Sequence, residues 1–164
     1  MDFIQAVKIV LGHEGGFVDN PDDPGGSTKF GISQRQYPTL DIHELTEKEA
    51  MQIYERDYWH KMKCDYLPPQ VRLIVFDCAV NQGAPRASMF LQRACGQSAD
   101  GIIGPATIKA ATDFSPLFLV DSISRQRMQA YIRNPNWSTF GKGWAARLLD
   151  ITLRCISASD TRHQ

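Results

Sequence analysis

The sequence predicts a mainly α-helical fold, and three features of the 164-residue chain support this class. Apolar residues recur at helical spacing along most of the chain. Prolines and glycines fall where such helices start and stop. No segment shows the alternation of apolar and polar residues that is typical of strands. We therefore expect helices throughout, interrupted early by a glycine-rich loop that forms a small hairpin.

The first predicted helix covers residues 2–13, where the apolar residues share one face. It ends at Glu14, because two glycines follow it. A polar, glycine-rich loop then extends to about Gly31. The next helix opens at a capping box, TEKE, formed by Thr46 and Glu49, and it extends to about Met62.

Prolines, glycines and one serine mark the later helices. Their predicted ranges are about 69–82, 84–95, 105–111, 116–133 and 144–157. Ser115 is the predicted N-cap of the helix that begins at Pro116. We expect NPNWSTFGKG to be a loop before the last helix. One side of that last helix is expected to be apolar and comprises Leu148, Leu149, Thr152, Leu153 and Ile156.

Charge and composition limit the possible partners. The chain has 18 basic and 18 acidic residues, so its formal net charge is zero. No overall field attracts nucleic acid or an anionic membrane, and we expect no nucleic-acid partner. With 43% hydrophobic residues, the chain can bury a core without help from a metal or disulfides.

The four cysteines are Cys64, Cys78, Cys95 and Cys155. None of them stands in a CxxC or CxxH pattern, and no histidine spacing indicates a metal site. We therefore expect no metal and no cofactor. Free, buried thiols suit the apolar surroundings of these residues, and two disulfides remain an open alternative.

Glu14 stands at the carboxyl end of an apolar helix, a position that favours its protonated form. The helix end carries partial negative charge, and apolar neighbours exclude water; both effects raise the pKa of a carboxyl group. Asp23 follows nine residues later in a loop that can fold back, and Thr28 adds a hydroxyl. A protonated glutamate facing an ionised aspartate across a water is the arrangement for inverting glycoside hydrolysis.

The same residues also fit two other interpretations. Glu14 before two glycines is a common solvated helix end, and DNPDDPGG has the composition of a plain surface turn. A calcium loop fits less well, because Asp19, Asp22 and Asp23 miss the EF-hand spacing and Pro24 takes the position of its glycine.

The stretch HEGGFVDNPDDPGGSTKFGI, residues 13–32, resembles the signature of glycoside hydrolase family 108. This is a lysozyme-like family of N-acetylmuramidases found in phage endolysins and in bacterial proteins once called secretion activators. The resemblance implies that Glu14 is the catalytic acid. The order of Glu14, Asp23 and Thr28 is similar to that of phage-type lysozymes, with one residue fewer between Glu and Thr. It implies that Asp23 positions the attacking water and that Thr28 supports it.

A second stretch, FDCAVNQG at residues 76–83, is similar to the family's helix that ends in an Asn-x-Gly element. The resemblance implies that Asp77, Asn81 and Gln82 face the substrate cleft. A buried hydrogen-bonding role is an equally good interpretation for Asp77. Asn81 and Gln82 also suit the end of a helix.

The C-terminal part carries its own pattern. LQRACGQSADGIIGPATIKA, residues 91–110, resembles peptidoglycan-binding helical modules, and FGKGWAAR, residues 140–147, is similar to the family's F..GW..R element. Trp144 is a candidate to stack on a sugar face, although a core position is the commoner one for a helical tryptophan. We predict a lysozyme-like region, 1–94, a helical module, 95–158, packed with it as one compact unit, and a tail, 159–164.

The resemblance implies a peptidoglycan hydrolase that cleaves the β-1,4 bond between N-acetylmuramic acid and N-acetylglucosamine in glycan strands. Two alternatives stay open. A lytic transglycosylase also uses one glutamate, although Asp23 disfavours it, and a non-catalytic wall-binding or secretion-assisting protein has no need of Glu14.

The expected location follows from the N-terminal stretch MDFIQAVKIVLGHEGG, which lacks the basic region and cleavage site of a Sec signal. No window has the roughly 18 apolar residues needed to cross a bilayer. We expect synthesis in the cytoplasm and a monomer. The family context implies release through a holin, followed by action on the cell wall or in the periplasm.

Overall fold

The structure, a computed structural model, describes residues 1–14 and 27–160. Within these residues the chain forms seven α-helices and one antiparallel hairpin, so the predicted mainly α-helical class is confirmed. The helices are α1 (Phe3–Glu14), α2 (Glu47–Tyr54), α3 (Pro69–Gln82), α4 (Ala84–Ala94), α5 (Pro105–Asp113), α6 (Pro116–Ile132) and α7 (Trp137–Asp160). The strands are β1 (Thr28–Lys29) and β2 (Ile32–Ser33).

Local sequence sets several helix boundaries. The predicted capping box is confirmed, because the Thr46 side chain accepts from the Glu49 amide and the Glu49 carboxylate accepts from the Thr46 amide at 2.9 Å. Helix α3 begins at a proline and ends before Gly83, whose φ of 90° suits glycine. Ser115 precedes α6 as predicted, but its side chain makes no capping hydrogen bond. Pro116 therefore marks that start.

The helix predicted to extend to about Met62 changes its winding before it ends. Helix α2 stops at Tyr54, and the next turn, Glu55–Trp59, is π-helical. The His60 amide donates to the Glu55 carbonyl at 2.8 Å, five residues back. A π-helical turn holds more residues than an α-helical one and so rotates the side chains that follow. Trp59 at its end is buried in the core.

Helix α3 lies at the centre of the fold and packs against α1, α4, α6 and α7. Its continuous apolar run agrees with this position, because most of its faces are covered. The core residues that it contributes are Val71, Leu73, Ile74, Val75, Phe76, Cys78 and Ala79. Helices from both predicted regions thus share one core, while the division at residues 94 and 95 stays a prediction.

The last helix begins earlier than predicted. The sequence indicated a loop over NPNWSTFGKG, whereas α7 already starts at Trp137. The Trp137 ring lies against Gly141, one turn later, where an added Cβ would stand 2.5 Å from the ring. The glycine therefore makes room for a tryptophan on a helix, and its presence did not indicate a loop.

The buried face of α7 also differs from the predicted one. Of the residues expected on its apolar side, Leu148 is buried, but Leu149, Leu153 and Ile156 are exposed. The buried side carries Arg147, which reaches a buried carboxylate described below. Leu148, Ile151 and Cys155 are also buried, so the inward side of α7 combines an ion-pairing arginine with apolar residues. In the part of the chain that is described, no helix is long and apolar enough to cross a membrane.

All four cysteines are free and buried, which agrees with the free-thiol interpretation and not with the disulfide alternative. Burial raises the pKa of Cys78 and Cys95 to about 11 and that of Cys155 to about 12. Burial raises the pKa of Cys64 as well. Because the thiolate is the reactive form of cysteine, the fold keeps these groups inert.

We expect the folded protein to react slowly with Ellman's reagent at pH 8, since its thiols are both protonated and inaccessible. In a denaturant, four thiols per chain should react at once. The measurement is absorbance of the released thionitrobenzoate with and without guanidinium chloride. Rapid labelling of any thiol in the folded protein would contradict the buried state.

Candidate active site

Glu14 is the last residue of α1, and its carboxylate meets α7. Glu14 Oε1 lies 2.7 Å from Arg147 Nη1. This contact is an ion pair, although no N–H in the described structure is aligned on Oε1 well enough for a hydrogen bond. The Glu14 side chain is 19% exposed and the Arg147 side chain 9%. A bound molecule can therefore reach the carboxylate, while the guanidinium behind it is largely covered.

The tip of the hairpin lies close to Glu14 on another side. An added Cβ on Gly31 would stand 2.7 Å from Glu14 Oε2 and 2.7 Å from the Tyr54 hydroxyl. Tyr54 donates to the Phe30 carbonyl at 2.8 Å, which ties the hairpin to α2. Burial, followed by the negative charge of Glu14, raises the pKa of Tyr54. The tyrosine hydroxyl therefore stays a donor beside the glutamate.

Asp77, in the middle of α3, is completely buried, and both of its carboxylate oxygens face arginines. Asp77 Oδ1 accepts from Arg147 Nε at 2.8 Å and lies 2.7 Å from Arg147 Nη2. Asp77 Oδ2 accepts from Arg127 Nη2 at 2.7 Å. Two carboxylates and two guanidinium groups thus form one neutral assembly, which we call the ion cluster: Glu14, Asp77, Arg127 and Arg147.

The charges in the ion cluster stabilise one another against burial. Burial by itself lowers the pKa of Arg127, but Asp77, with smaller contributions from Cys78 and Tyr131, leaves that pKa above its ordinary value. The pKa of Arg147 is also raised, because Asp77 and Glu14 together outweigh its burial. Both arginines therefore remain charged. Arg127 pairs with Asp77, whereas Arg147 pairs with both Asp77 and Glu14.

The end of α3 opens on a small cavity, about 180 Å³ in volume, that Asn81, Gln82, Tyr131 and Trp144 line. The Tyr131 and Trp144 rings stack with centroids 5.3 Å apart. The Tyr131 hydroxyl donates to Asn81 Oδ1 at 2.5 Å. Arg127 Nε donates to Gln82 Oε1 at 3.0 Å, which joins this cavity to the ion cluster. We call the space that these residues line the amide cavity.

Three of the four residues predicted to face the substrate meet at the amide cavity. Asn81, Gln82 and Trp144 are partly exposed there, so Trp144 is not a core residue. Asp77 is different, because it is 0% exposed and both of its oxygens are occupied. For Asp77 the structure agrees with the buried, bracing interpretation and leaves no path to a substrate.

His13, next to the glutamate, contacts a different group. Its Nε2 lies 2.9 Å from Asp150 Oδ2 on α7, so the imidazole faces that aspartate. In the ranges 1–14 and 27–160, no group of three or more His, Cys, Asp or Glu side chains is arranged to hold a metal ion.

Comparison with known proteins identifies the family. Residues 7–83 match the family model Glycosyl hydrolase 108. The structure is similar to that of Brucella abortus SagA, with a TM-score of 0.87 and 32% sequence identity over 96% of this chain and 95% of that chain. The chain belongs to glycosyl hydrolase family 108. No curated protein matches it.

The second half of this family 108 protein, residues 86–149, matches the model Predicted Peptidoglycan domain. Both resemblances inferred from the sequence are therefore confirmed. Together the two matches support a glycosidase-type enzyme and a role in hydrolysing or binding peptidoglycan.

The other two predicted catalytic residues are Asp23 and Thr28. Asp23 lies outside the described residues, so its role stays a prediction. Thr28 lies in β1, where it pairs with Ser33 across the hairpin. Gly31, at the tip of the same hairpin, touches Glu14. Thr28 is thus on the element that adjoins the acid, and its catalytic role also stays a prediction.

Sequence reasoning missed the arginines that complete the site. Arg147 was recognised only as part of a motif, and Arg127 was not singled out. One signal was present, because an aspartate within the apolar run VRLIVFDCAV needs a cation or several donors once it is buried. That signal indicates that a partner exists, but 18 lysines and arginines were available to supply it.

The close approach of Gly31 to Glu14 predicts a clear effect of Gly31→Ala. Gly31 has a φ of +74°, and its new methyl group would collide with both Glu14 and Tyr54. We expect the free energy of unfolding to fall by about 2 kcal/mol, of which the left-handed backbone contributes about half. Hydrolysis of purified peptidoglycan should fall as well, because the carboxylate is displaced. Thermal melting and a turbidity assay measure the two effects.

Gly96→Ala is the matched control for this substitution. Gly96 has a φ of +66°, but an added Cβ would meet no atom within 4 Å. The free energy of unfolding of this variant should fall only by the cost of the left-handed backbone, and its rate of hydrolysis should not change. Equal behaviour of the two variants would show that contact between Gly31 and Glu14 has no functional consequence.

Proposed function

We propose that this family 108 protein is an N-acetylmuramidase. It hydrolyses the β-1,4 bond between N-acetylmuramic acid and N-acetylglucosamine, with Glu14 as general acid. The observation that carries the proposal is the setting of Glu14, a partly exposed carboxylate that pairs with Arg147 and has the hairpin tip close beside it. An ion pair on one side and a close neighbour on another restrict the orientation of the carboxyl group, which favours general acid catalysis.

The proton of Glu14 goes to the glycosidic oxygen as the bond to the anomeric carbon breaks. The acid must therefore be protonated when the substrate is bound. Arg147 also contacts Asp77, so it keeps one carboxylate partner when Glu14 is neutral. The ion cluster thus supports a glutamate that gains and loses its proton without leaving a buried cation unpaired.

In the proposed reaction a water held by Asp23 attacks the anomeric carbon, and Thr28 supports that water. These roles rest on the order of Glu14, Asp23 and Thr28, which is similar to that of phage-type lysozymes. The distance between the Glu14 and Asp23 carboxyl groups determines whether the anomeric configuration is inverted or retained.

The amide cavity is the proposed binding site for part of the glycan. Asn81 and Gln82 present amide groups that suit hydroxyl and N-acetyl groups. The partly exposed Trp144 ring, which stacks on Tyr131 and packs beside Phe140, adds apolar surface next to these amides. Gln82 also contacts Arg127, so a ligand in this cavity touches a side chain that is held by the ion cluster.

Two other functions make different products. A lytic transglycosylase uses the substrate's own hydroxyl in place of water and leaves an anhydro sugar. A non-catalytic wall-binding protein leaves the glycan intact. The ion pair between Glu14 and Arg147 favours catalysis over simple binding, because a binding module has no need of a partly exposed acid beside a covered cation.

Mass spectrometry of the soluble fragments from purified peptidoglycan tests the proposal. We expect muropeptides with a reducing N-acetylmuramic acid end, each carrying one added water. Anhydro ends would move the assignment to a lytic transglycosylase. Sedimentation of the protein with the walls, without any released fragment from a folded sample, would support a binding role.

A further inference from the structure

A long groove runs beside α4 and α6. Its main part, about 700 Å³, shares Gln82 and Arg86 with the amide cavity. It shares Arg93 and Arg133 with a further cavity of about 450 Å³ along α6. The shared residues place the three spaces side by side, and we call the two larger ones the basic groove.

Every charged side chain that lines the basic groove is an arginine. Arg125, at its far end, pairs with Asp121 one turn earlier on α6. Arg86, Arg93 and Arg133 are exposed. None of these three makes an ion pair or a side-chain hydrogen bond within the described part of the chain. The groove therefore presents three cations with no described acid among its lining residues.

Helix dipoles explain only part of this arrangement. Arg93 lies in the last turn of α4, and Arg133 follows α6, so both stand where a helix favours a cation. Arg86 lies in the first turn of α4, where the helix disfavours one. The convergence of all three on one groove, in a chain of zero net charge, indicates an anionic ligand.

The surface between the arginines is apolar. Phe90, Met89 and Ala130 form part of the lining. A fitting ligand therefore carries several anionic groups separated by small apolar ones. Arginine binds carboxylates through two parallel hydrogen bonds, which gives such a groove selectivity for the spacing of the acids.

We propose that the basic groove binds the peptide stems of peptidoglycan through their carboxylates. A stem is a short peptide of alanine and diacid residues, so it carries methyl groups and free carboxylates in turn. The stems branch from the glycan, and the basic groove joins the amide cavity at Gln82. One wall fragment can thus occupy both sites. This inference rests on the proposed function for its choice of peptidoglycan as the ligand.

Isothermal titration of the full chain with a free stem tetrapeptide, which contains no sugar, tests the inference. A second titration uses the same peptide with its carboxylates amidated, and a third uses inorganic polyphosphate. The test variant is Arg93→Gln/Arg133→Gln, whose two positions are exposed. Lys109→Gln, an exposed cation paired with Asp113 on α5, is the matched control. Circular dichroism melting establishes that each variant is folded.

We expect the free stem to bind the wild type at least tenfold more tightly than the double variant, because two charge-assisted contacts are lost. The Lys109→Gln variant should bind like the wild type, and the amidated peptide should bind weakly to all three proteins. Equal affinity for free and amidated stems, or undiminished binding by the double variant, would overturn the proposal. If polyphosphate binds tightly and the stem does not bind, the proposal is overturned and the ligand is a phosphate polymer.

The outcome is independent of glycan cleavage, because the tetrapeptide has no glycosidic bond. If muropeptides are released but the stem does not bind, the proposal for the basic groove is wrong and the muramidase proposal stands. If the stem binds but no muropeptides are released, the muramidase proposal is wrong and the proposal for the basic groove stands.

Discussion

The Glu14→Gln variant is expected to hydrolyse purified peptidoglycan about 10³-fold more slowly than the wild type, because a glutamine cannot donate the proton that a general acid supplies. The substitution preserves the shape of the side chain and an oxygen 2.7 Å from Arg147 Nη1. The fold should therefore persist, with a modest fall in melting temperature from the lost charge pairing. The rate of soluble fragment release and thermal melting measure the two properties.

Glu44→Gln is the control for this variant, since it changes the same residue type at an exposed position outside the ion cluster. It should retain the rate of the wild type. Glu14→Gln protein that keeps more than a tenth of that rate, while melting as a folded protein, would remove Glu14 from the role of acid.

The fold was predictable where local sequence determines it. The Thr46 and Glu49 capping box, the proline starts and the glycine stop at Gly83 all depend on residues within one helical turn, and the structure has them. The prediction failed at α7, where Gly141 looked like a loop residue. Its function is to accept the Trp137 ring, and that packing depends on a side chain one turn earlier in the helix.

The site was predictable only in part, for a related reason. Glu14 follows from a helix end and a family signature, both of which are local in sequence. Its partner Arg147 lies more than 130 residues later, and the shared carboxylate Asp77 lies between them in the chain. Ion pairs of this range depend on how helices pack. The sequence shows that Asp77 needs a cation but not which one.

The exposed face of α7 shows the same limit. Leu149 and Leu153 were expected to share one apolar side of the last helix, but both are exposed. The side that faces inward instead carries Arg147, which pairs with Asp77, together with the buried apolar residue Ile151. Pairing of the buried carboxylate and burial of apolar side chains therefore both favour this rotation of α7.

The burial of Asp77 between two arginines predicts that Asp77→Ala destabilises the protein by about 3–5 kcal/mol, because it leaves two covered guanidinium groups without their shared partner. The melting temperature should fall by about 10 °C. Asp77→Asn keeps one carbonyl acceptor, so its melting temperature should lie between those of the wild type and Asp77→Ala. Hydrolysis should decrease in both variants, since Arg147 loses the contact that holds it beside Glu14.

Asp121→Ala is the matched control, because it removes a carboxylate from an exposed pair with Arg125 on one helix. Such surface pairs contribute little, so its melting temperature should match that of the wild type. Urea denaturation followed by circular dichroism gives the free energies for all four proteins. If Asp77→Ala unfolds at the same urea concentration as Asp121→Ala, the ion cluster does not stabilise the fold, and packing of apolar residues alone sets the rotation of α7.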